Sequence, residues 1–175
     1  MTDLVARADA FAAAAHGAIK HKRKYTGDDY IVHPREVAAI VATVPHTAEM
    51  LAAALLHDTV EDTGVTIETI RAEFGSMVAG LVADLTDVST LDLGNRAIRK
   101  GIDLAHTAGA SPSAKTIKLA DLLSNTASIV EHDPGFARVY LKEKSAMLAV
   151  LTEGDATLLA RAKATLSAAL AKING

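Results

Sequence analysis

Apolar positions along this chain recur three and four residues apart, the period of one helical face, and capping and breaking residues interrupt the pattern at intervals. Residues 3–20 read as a first helix. The stretch 21–32, HKRKYTGDDYIV, holds the Thr26-Gly27-Asp28-Asp29 cluster of a loop, and Pro34 suits the first turn of a second helix, PREVAAIVATV. Thr47 is positioned to cap a third helix predicted to run through AEMLAAALLHDTVED, with Gly64 as its stop. Thr66 opens TIETIRAEFG, SMVAGLVADLTDVS continues as another helix, and GNRAIRKGIDLAHTAGA is a further one. Ser111-Pro112 and Asp133-Pro134 each place a capping residue before a proline at the first helical position. They open SPSAKTIKLADLLSNTASIV and DPGFARVYLKEKSAMLAVL. Residues 155–172 close the chain. No linker, repeat or low-complexity tract divides it, so the expectation is one domain over residues 1–175.

Composition agrees with helices. Aromatic residues make up 3% of the chain and Trp is absent, whereas Ala and Leu are abundant. Close packing through small residues therefore fits better than a sheet, which favours aromatic and β-branched side chains, and the fold class expected is all-α. A length of 175 residues, 50% hydrophobic, with a formal charge of −3, describes one soluble domain with a sizeable core. Asp3, Arg7 and Asp9 interrupt the N-terminal stretch where a secretory signal needs an apolar centre, and no segment reaches the roughly 18 apolar residues of a membrane span. The expectations are a cytoplasmic location and no membrane partner. With no Cys, disulfides and thiolate metal sites are excluded.

The third helix changes the picture, because MLAAALL runs straight into HDTVED, residues 57–62. If the helix continues, Asp58 and Asp62 fall one turn apart, as do His57 and Glu61. Like charges at that spacing cost an isolated helix about 0.2–0.5 kcal/mol per pair, and desolvation beside an apolar run adds to it. Either these carboxylates turn outward at a helix end, or they surround a cation. Two further residues favour the cation. Asp121 sits within Leu119, Ala120, Leu122 and Leu123, with Asn125 one turn on. His33, in YIVHP, precedes a proline expected to hold it extended at the mouth of the second helix. Two imidazoles and two carboxylates make a mixed nitrogen and oxygen donor set. It suits a divalent ion such as Mn, Fe or Zn rather than Ca, which prefers oxygen throughout.

HDTVEDT preceded by AALL, YIVHP upstream of it and IKLADLLSN downstream form an ordered triple of motifs. In this the chain resembles the HD-domain hydrolase of the RelA/SpoT family, and more narrowly the small alarmone hydrolases, the group that includes the metazoan SpoT homologue. The likeness runs roughly over residues 10–150. It implies an all-α HD-domain helical bundle with a metal site in its core. The implied activity is Mn-dependent removal of the 3′-pyrophosphate of guanosine tetra- or pentaphosphate, giving GDP or GTP and pyrophosphate. Carried over by position, His33, His57, Asp58 and Asp121 match the metal ligands, and Glu61 with Asp62 match the acidic pair that orients or deprotonates the attacking water.

A polyphosphate approaching acidic residues needs cations around it. Lys20, Lys22, Arg23 and Lys24, with Arg96, Arg99 and Lys100, place seven of the 18 Lys and Arg in two short segments. The resemblance assigns Arg23, Lys24, Arg96 and Arg99 to the substrate, and adds Asn125 and, at the pocket wall, Tyr140. It also exposes departures. Relatives often read GEPY where this chain has Gly27-Asp28-Asp29-Tyr30, which adds negative charge, and Ser124 stands where a larger residue is usual. His16, His21, His46, His106 and His132 receive no role, and His16 reads as packing. The function expected is alarmone hydrolysis. The alternatives are another HD-type nucleotide phosphohydrolase, such as an NADPH 2′-phosphatase, and a non-catalytic HD module, against which intact Glu61 and Asp62 argue. Nucleic acid is not an expected partner, since the net charge is negative and the basic residues are few and local. Homodimerisation is left open.

Overall fold

The computed structural model describes residues 3–174; Met1, Thr2 and Gly175, which the expected domain of 1–175 includes, lie outside them. The described residues are helical throughout apart from turns and one isolated bridge between Lys22 and Asp29, as an all-α fold requires. No described helix is long and apolar enough to cross a membrane. The chain forms two compact units, Met1–Thr86 and Asp87–Gly175.

The first unit comprises α1 (Asp3–Ala18), α2 (Val32–Val41), α3 (Ala48–Leu56), the single turn α4 (Thr59–Asp62) and α5 (Ile67–Leu85). Helices α1, α2 and α5 all pack on α3. That central position explains its sequence: Ala52, Ala53, Ala54, Leu55 and Leu56 are all buried, so α3 is apolar all round and its small residues let three neighbours approach. Burying a Leu such as Leu56 contributes about 1.5–3 kcal/mol relative to leaving it exposed. Thr47 caps α3 as expected, its hydroxyl accepting from Met50 N at 3.3 Å, and Thr66 caps α5 by accepting from Thr69 N at 3.1 Å. Within α5, Gly75 has φ 87°, which joins the two helical runs that the sequence presents as separate.

Two local expectations fail here. The third helix does not continue to residue 62: α3 ends at Leu56, and His57 and Asp58 form a turn before α4. Side chains have taken the carbonyls that a further helical turn would use. His57 Nδ1 bonds Ala54 O at 2.8 Å, and the Thr59 hydroxyl donates to Leu56 O at 2.7 Å. His33 is likewise not extended at a helix mouth but is the second residue of α2. Its N–H donates to Tyr30 O at 3.0 Å, and Pro34 is tolerated because it lies in the first turn, where its missing N–H has no intrahelical acceptor to lose.

The second unit holds a 3₁₀ turn (Leu91–Leu93), α6 (Arg96–Ala108), α7 (Pro112–His132), α8 (Pro134–Val150) and α9 (Ala156–Asn174). Helix α7 packs on α8 and α9, and α8 also packs on α6. Ser111 and Asp133 cap α7 and α8, accepting from Ala114 N at 3.3 Å and Phe136 N at 3.1 Å, with proline next in each case. The turn before α9 lies hard against α7. A Cβ on Gly154 would stand 2.9 Å from Leu119 Cδ1 and 3.1 Å from the Lys115 carbonyl carbon, so only glycine fits there.

Candidate functional site

In the first unit, the turn after α3 and the first turn of α2 bring three predicted ligands together. His33 Nε2 lies 3.6 Å and His57 Nε2 3.0 Å from Asp58 Oδ2, and the donor atoms of the three residues all fall within 4.8 Å of one another. Both rings are buried, at 1% and 2% exposure, whereas the Asp58 side chain keeps 16%. The geometry constrains the protons. Ala54 O can only accept, so the hydrogen of neutral His57 sits on Nδ1, and its Nε2 lone pair faces a carboxylate oxygen 3.0 Å away. Two acceptors at that distance repel unless a cation or an extra proton intervenes. A backbone carbonyl that orients the far side of a ligating imidazole is the usual support of a metal-bound His. The residues present therefore fit a divalent ion held by His33, His57 and Asp58.

Around this group lie residues to which the sequence assigns no function. The Tyr30 hydroxyl donates to Asp58 Oδ2 at 2.6 Å and also bonds Asp62. The Tyr30 ring stacks on His21 at 3.8 Å between centroids and 8° between planes. His16, at the end of α1, is 1% exposed, and its Nδ1 stands 3.1 Å from His21 Nδ1. Burial, and then the neighbouring His21, hold the His16 imidazole down at about 4, so it is neutral near neutral pH. Burial, and then the like charge of Asp58, raise the Asp62 carboxyl above its ordinary range. Glu61, on α4, is exposed. No periodic pattern links His16, His21 and Tyr30. A loop with Lys20 at φ 53° and Gly27 at φ 76° folds them together.

That loop also carries two predicted substrate residues. The half-buried Arg23 pins it through its backbone, with Arg23 N donating to Asp28 O at 2.8 Å and Gly27 N to Arg23 O at 3.0 Å. The exposed Lys24 lies over the Tyr25 ring at 4.9 Å. The acidic departure in this loop is partly neutralised, since Lys22 Nζ bonds Asp29 Oδ1 at 2.6 Å and holds that carboxyl below its usual range.

The second unit contains a cavity of about 740 Å³ lined by residues of α6, α7 and α8. Arg96, Asn125 and Tyr140 line it as the sequence leads one to expect; Arg99 does not. Successive 100° steps explain the difference, because Arg96, Ala97, Lys100 and Leu104 share one face of α6 and Arg99 falls on its flank. Arg99 is half-buried there, and among the described residues its Nε has no hydrogen-bond partner. Most of the cavity's cations are already paired. Arg96 forks onto Glu143 at 2.8 and 2.9 Å, and Lys100 bonds Asp87 at 2.9 Å and approaches Asp103 at 3.7 Å. Lys118 lies 3.7 Å from Asp121 Oδ2. Asp121, 6% exposed on α7, accepts from Asn125 Nδ2 at 2.7 Å, so the predicted ligand and the predicted substrate amide already form a pair.

Lys144 differs from these cations. Its ammonium meets the Met147 sulfur at 3.9 Å and the Tyr140 ring face at 5.2 Å, and among the described residues no carboxylate pairs with it. Burial, and then Lys118 nearby, lower its pKa to about 8. The Tyr140 hydroxyl, buried against Thr126 at 3.4 Å, is pushed above the usual phenol range by that burial. Charge and apolar wall thus meet in one cavity, with Phe136 and Tyr140 beside Lys144 and Asn125. Sequence reasoning missed Lys118 and Lys144. Lys118 carried a signal, one turn before Asp121 in IKLAD, but Lys144 carried none.

The chain is similar in sequence and in structure to several known proteins. The chain is 46% identical over 101 residues to a probable GTP pyrophosphokinase of Mycobacterium leprae, a match covering 57% of this chain and 13% of that protein. It is 42% identical over 120 residues to the guanosine-3′,5′-bis(diphosphate) 3′-pyrophosphohydrolase of Xenopus tropicalis, covering 65% of each. The chain thus matches under two thirds of the length of either relative. A solved structure, described as a metazoan ortholog of SpoT that hydrolyzes ppGpp and plays a role in starvation responses, superposes with a TM-score of 0.85 at 28% identity, over 95% of this chain and 96% of that one. The HD domain family profile matches residues 8–151, across all three segments that carry the predicted ligands, and the chain belongs to the HD domain family.

Proposed function

We propose that this protein is a metal-dependent hydrolase that removes the 3′-pyrophosphate from guanosine tetra- or pentaphosphate, acting in the cytoplasm with Mn as its cation and as one domain over residues 1–175. The observation that carries the reading is the buried group His33, His57 and Asp58, in which an imidazole lone pair is aimed at a carboxylate. The names of the relatives and of the structural neighbour, which act on guanosine tetraphosphate, supply the substrate. Asp121 joins as fourth ligand on the strength of its IKLADLLSN motif.

A divalent ion held there supplies Lewis acidity toward phosphoryl oxygens and acidifies water at neutral pH. The chain's own residues do the rest. Hydrolysis adds water across the ester bond between the ribose 3′-oxygen and the pyrophosphate, so one water proton must leave and the departing 3′-oxygen must gain one. Glu61 and Asp62 are the carboxylates available to accept and return it, and Tyr30 holds both Asp58 and Asp62 by hydrogen bonds. In the second unit, Asn125 and the Tyr140 and Phe136 rings suit a base or ribose, and Arg96 and Lys144 suit phosphoryl oxygens. Arg23 and Lys24 add charge on the loop before His33.

The test is product analysis. Metal-stripped protein is restored with Mn and incubated with guanosine tetraphosphate, and the products are separated by anion exchange with NADPH run alongside. GDP and pyrophosphate in equal amounts are expected. Inorganic phosphate from NADPH alone, or no product with metal bound, overturns the reading.

A further inference from the structure

We propose that His16, His21 and Asp62 form a second divalent transition-metal site, separate in its ligands from His33, His57 and Asp58. One donor atom from each residue lies within 4.8 Å of the others. His16 Nδ1 faces His21 Nδ1 at 3.1 Å, and His21 Nδ1 lies 4.0 Å from Asp62 Oδ2. Ligands of one ion stand about this far apart, since metal–nitrogen and metal–oxygen bonds of about 2.0–2.2 Å subtend tetrahedral or octahedral angles.

The placement of His16 makes this more than proximity. A buried imidazole normally has its nitrogens matched to a carbonyl, a carboxylate or a water. His16 is 1% exposed, and what its Nδ1 meets at hydrogen-bond distance is another imidazole nitrogen. Two imidazole nitrogens 3.1 Å apart can share at most one proton, and without it their lone pairs repel; a cation between them relieves both. The fold also fixes His21 firmly for a loop residue. Its N–H donates to His16 O at 3.0 Å, its carbonyl accepts from Tyr30 N at 3.2 Å, and its ring stacks flat on Tyr30. Firm placement of this kind preorganises a ligand.

Two imidazoles and one carboxylate suit Zn, Mn or Fe(II) and disfavour Ca and Mg, which take oxygen. The side chains of His21 and Asp62 keep 26% and 35% exposure, so an ion can enter from solvent and keep open coordination positions for water or an anion. Tyr30 bonds both Asp58 and Asp62 and so ties the two ligand groups together. With Asp62 engaged by the second ion, proton transfer in the reaction proposed above falls to Glu61. The second site itself does not depend on the substrate.

Metal counting tests it. Full-length protein is stripped of metal, dialysed to equilibrium against Mn(II) or, separately, Zn(II), and its metal content is measured per chain by mass spectrometry, with circular dichroism confirming the fold of each variant. Two ions per wild-type chain are expected, falling to one in His21→Asn and in His16→Gln. Asp58→Ala should keep the ion of the second site. One ion in the wild type that persists in His21→Asn overturns the proposal, and so do two ions retained in that variant. His21 is only half-buried, so its variant reports even if His16→Gln does not fold. Because the ion lost in His21→Asn is counted apart from the ion lost in Asp58→Ala, failure of the second site and failure of the hydrolase reading are distinguishable.

Discussion

The two units of this protein meet charge in opposite ways. In Met1–Thr86, imidazole nitrogens and carboxylate oxygens are turned toward one another, at 3.0 and 3.6 Å around Asp58 and at 3.1 Å between His16 and His21. That half has an excess of lone pairs. In Asp87–Gly175, ammonium and guanidinium groups outnumber carboxylates along the cavity, and among the described residues carboxylates of the same unit pair with Arg96, Lys100 and Lys118 but not with Lys144. An excess of lone pairs calls for a metal cation, and a leftover ammonium calls for an anion. The difference gives the first unit a donor set that fits a divalent ion and the second a cavity that fits an anionic ligand, while Asp121, the fourth predicted ligand, belongs to the second.

The comparison breaks most severely at Asp58. Asp58→Ala should lose activity entirely together with the ion of its own group, measured by turnover and metal content on the same sample. Glu61→Ala should keep its metal and lose about 10²- to 10⁴-fold in kcat, the usual worth of a positioned proton acceptor. Equal metal loss in the two variants would refute the split between ligands and proton acceptor. Tyr30→Phe removes the bond that orients Asp58, and a fall of about 10- to 100-fold in metal affinity by competition with a chelator is expected.

Changes in the second unit should leave the metal alone. Lys144→Met should raise KM about 10-fold with kcat held, and Lys144→Arg should restore most of it, because a charge-assisted bond to phosphate contributes about 1.5–3 kcal/mol. Loss of kcat with unchanged KM would place Lys144 outside substrate binding. The smallest effect is on stability. In the folded chain Lys144 loses its proton near pH 8, but in the unfolded chain only near 10.5. The unfolded state therefore binds more protons between those values, so this group's contribution is complete above pH 10.5 and is lost as pH falls to 8. Denaturant titrations of wild type and Lys144→Met across that window should show the stability difference between them changing in this direction.

Helix starts were legible because they are local. Thr47, Thr66, Ser111 and Asp133 each bond an N–H three residues on, so the signal and its cause lie within one turn. The pairing of HD with the upstream YIVHP was legible as a motif, and the structure brings those residues together. The break after Leu56 was not, because MLAAALLHDTVED reads as one unbroken helix until the His57 and Thr59 side chains take its carbonyls. That Arg96 lines the cavity and Arg99 does not was not legible for another reason: a cluster of basic residues on one helix does not say which of them faces a cavity.

By itself, then, the amino-acid order determined the helical class, the capped helix starts and the grouping of His33, His57 and Asp58 as candidate ligands, since these follow from nearest-neighbour bonds and from a strongly patterned motif. Tertiary structure alone decided that His16 would be buried against His21 and that Lys144 would lie without a carboxylate partner among the described residues. Both depend on what other segments bring to within a few ångströms, and no spacing along a chain encodes the absence of a counter-charge.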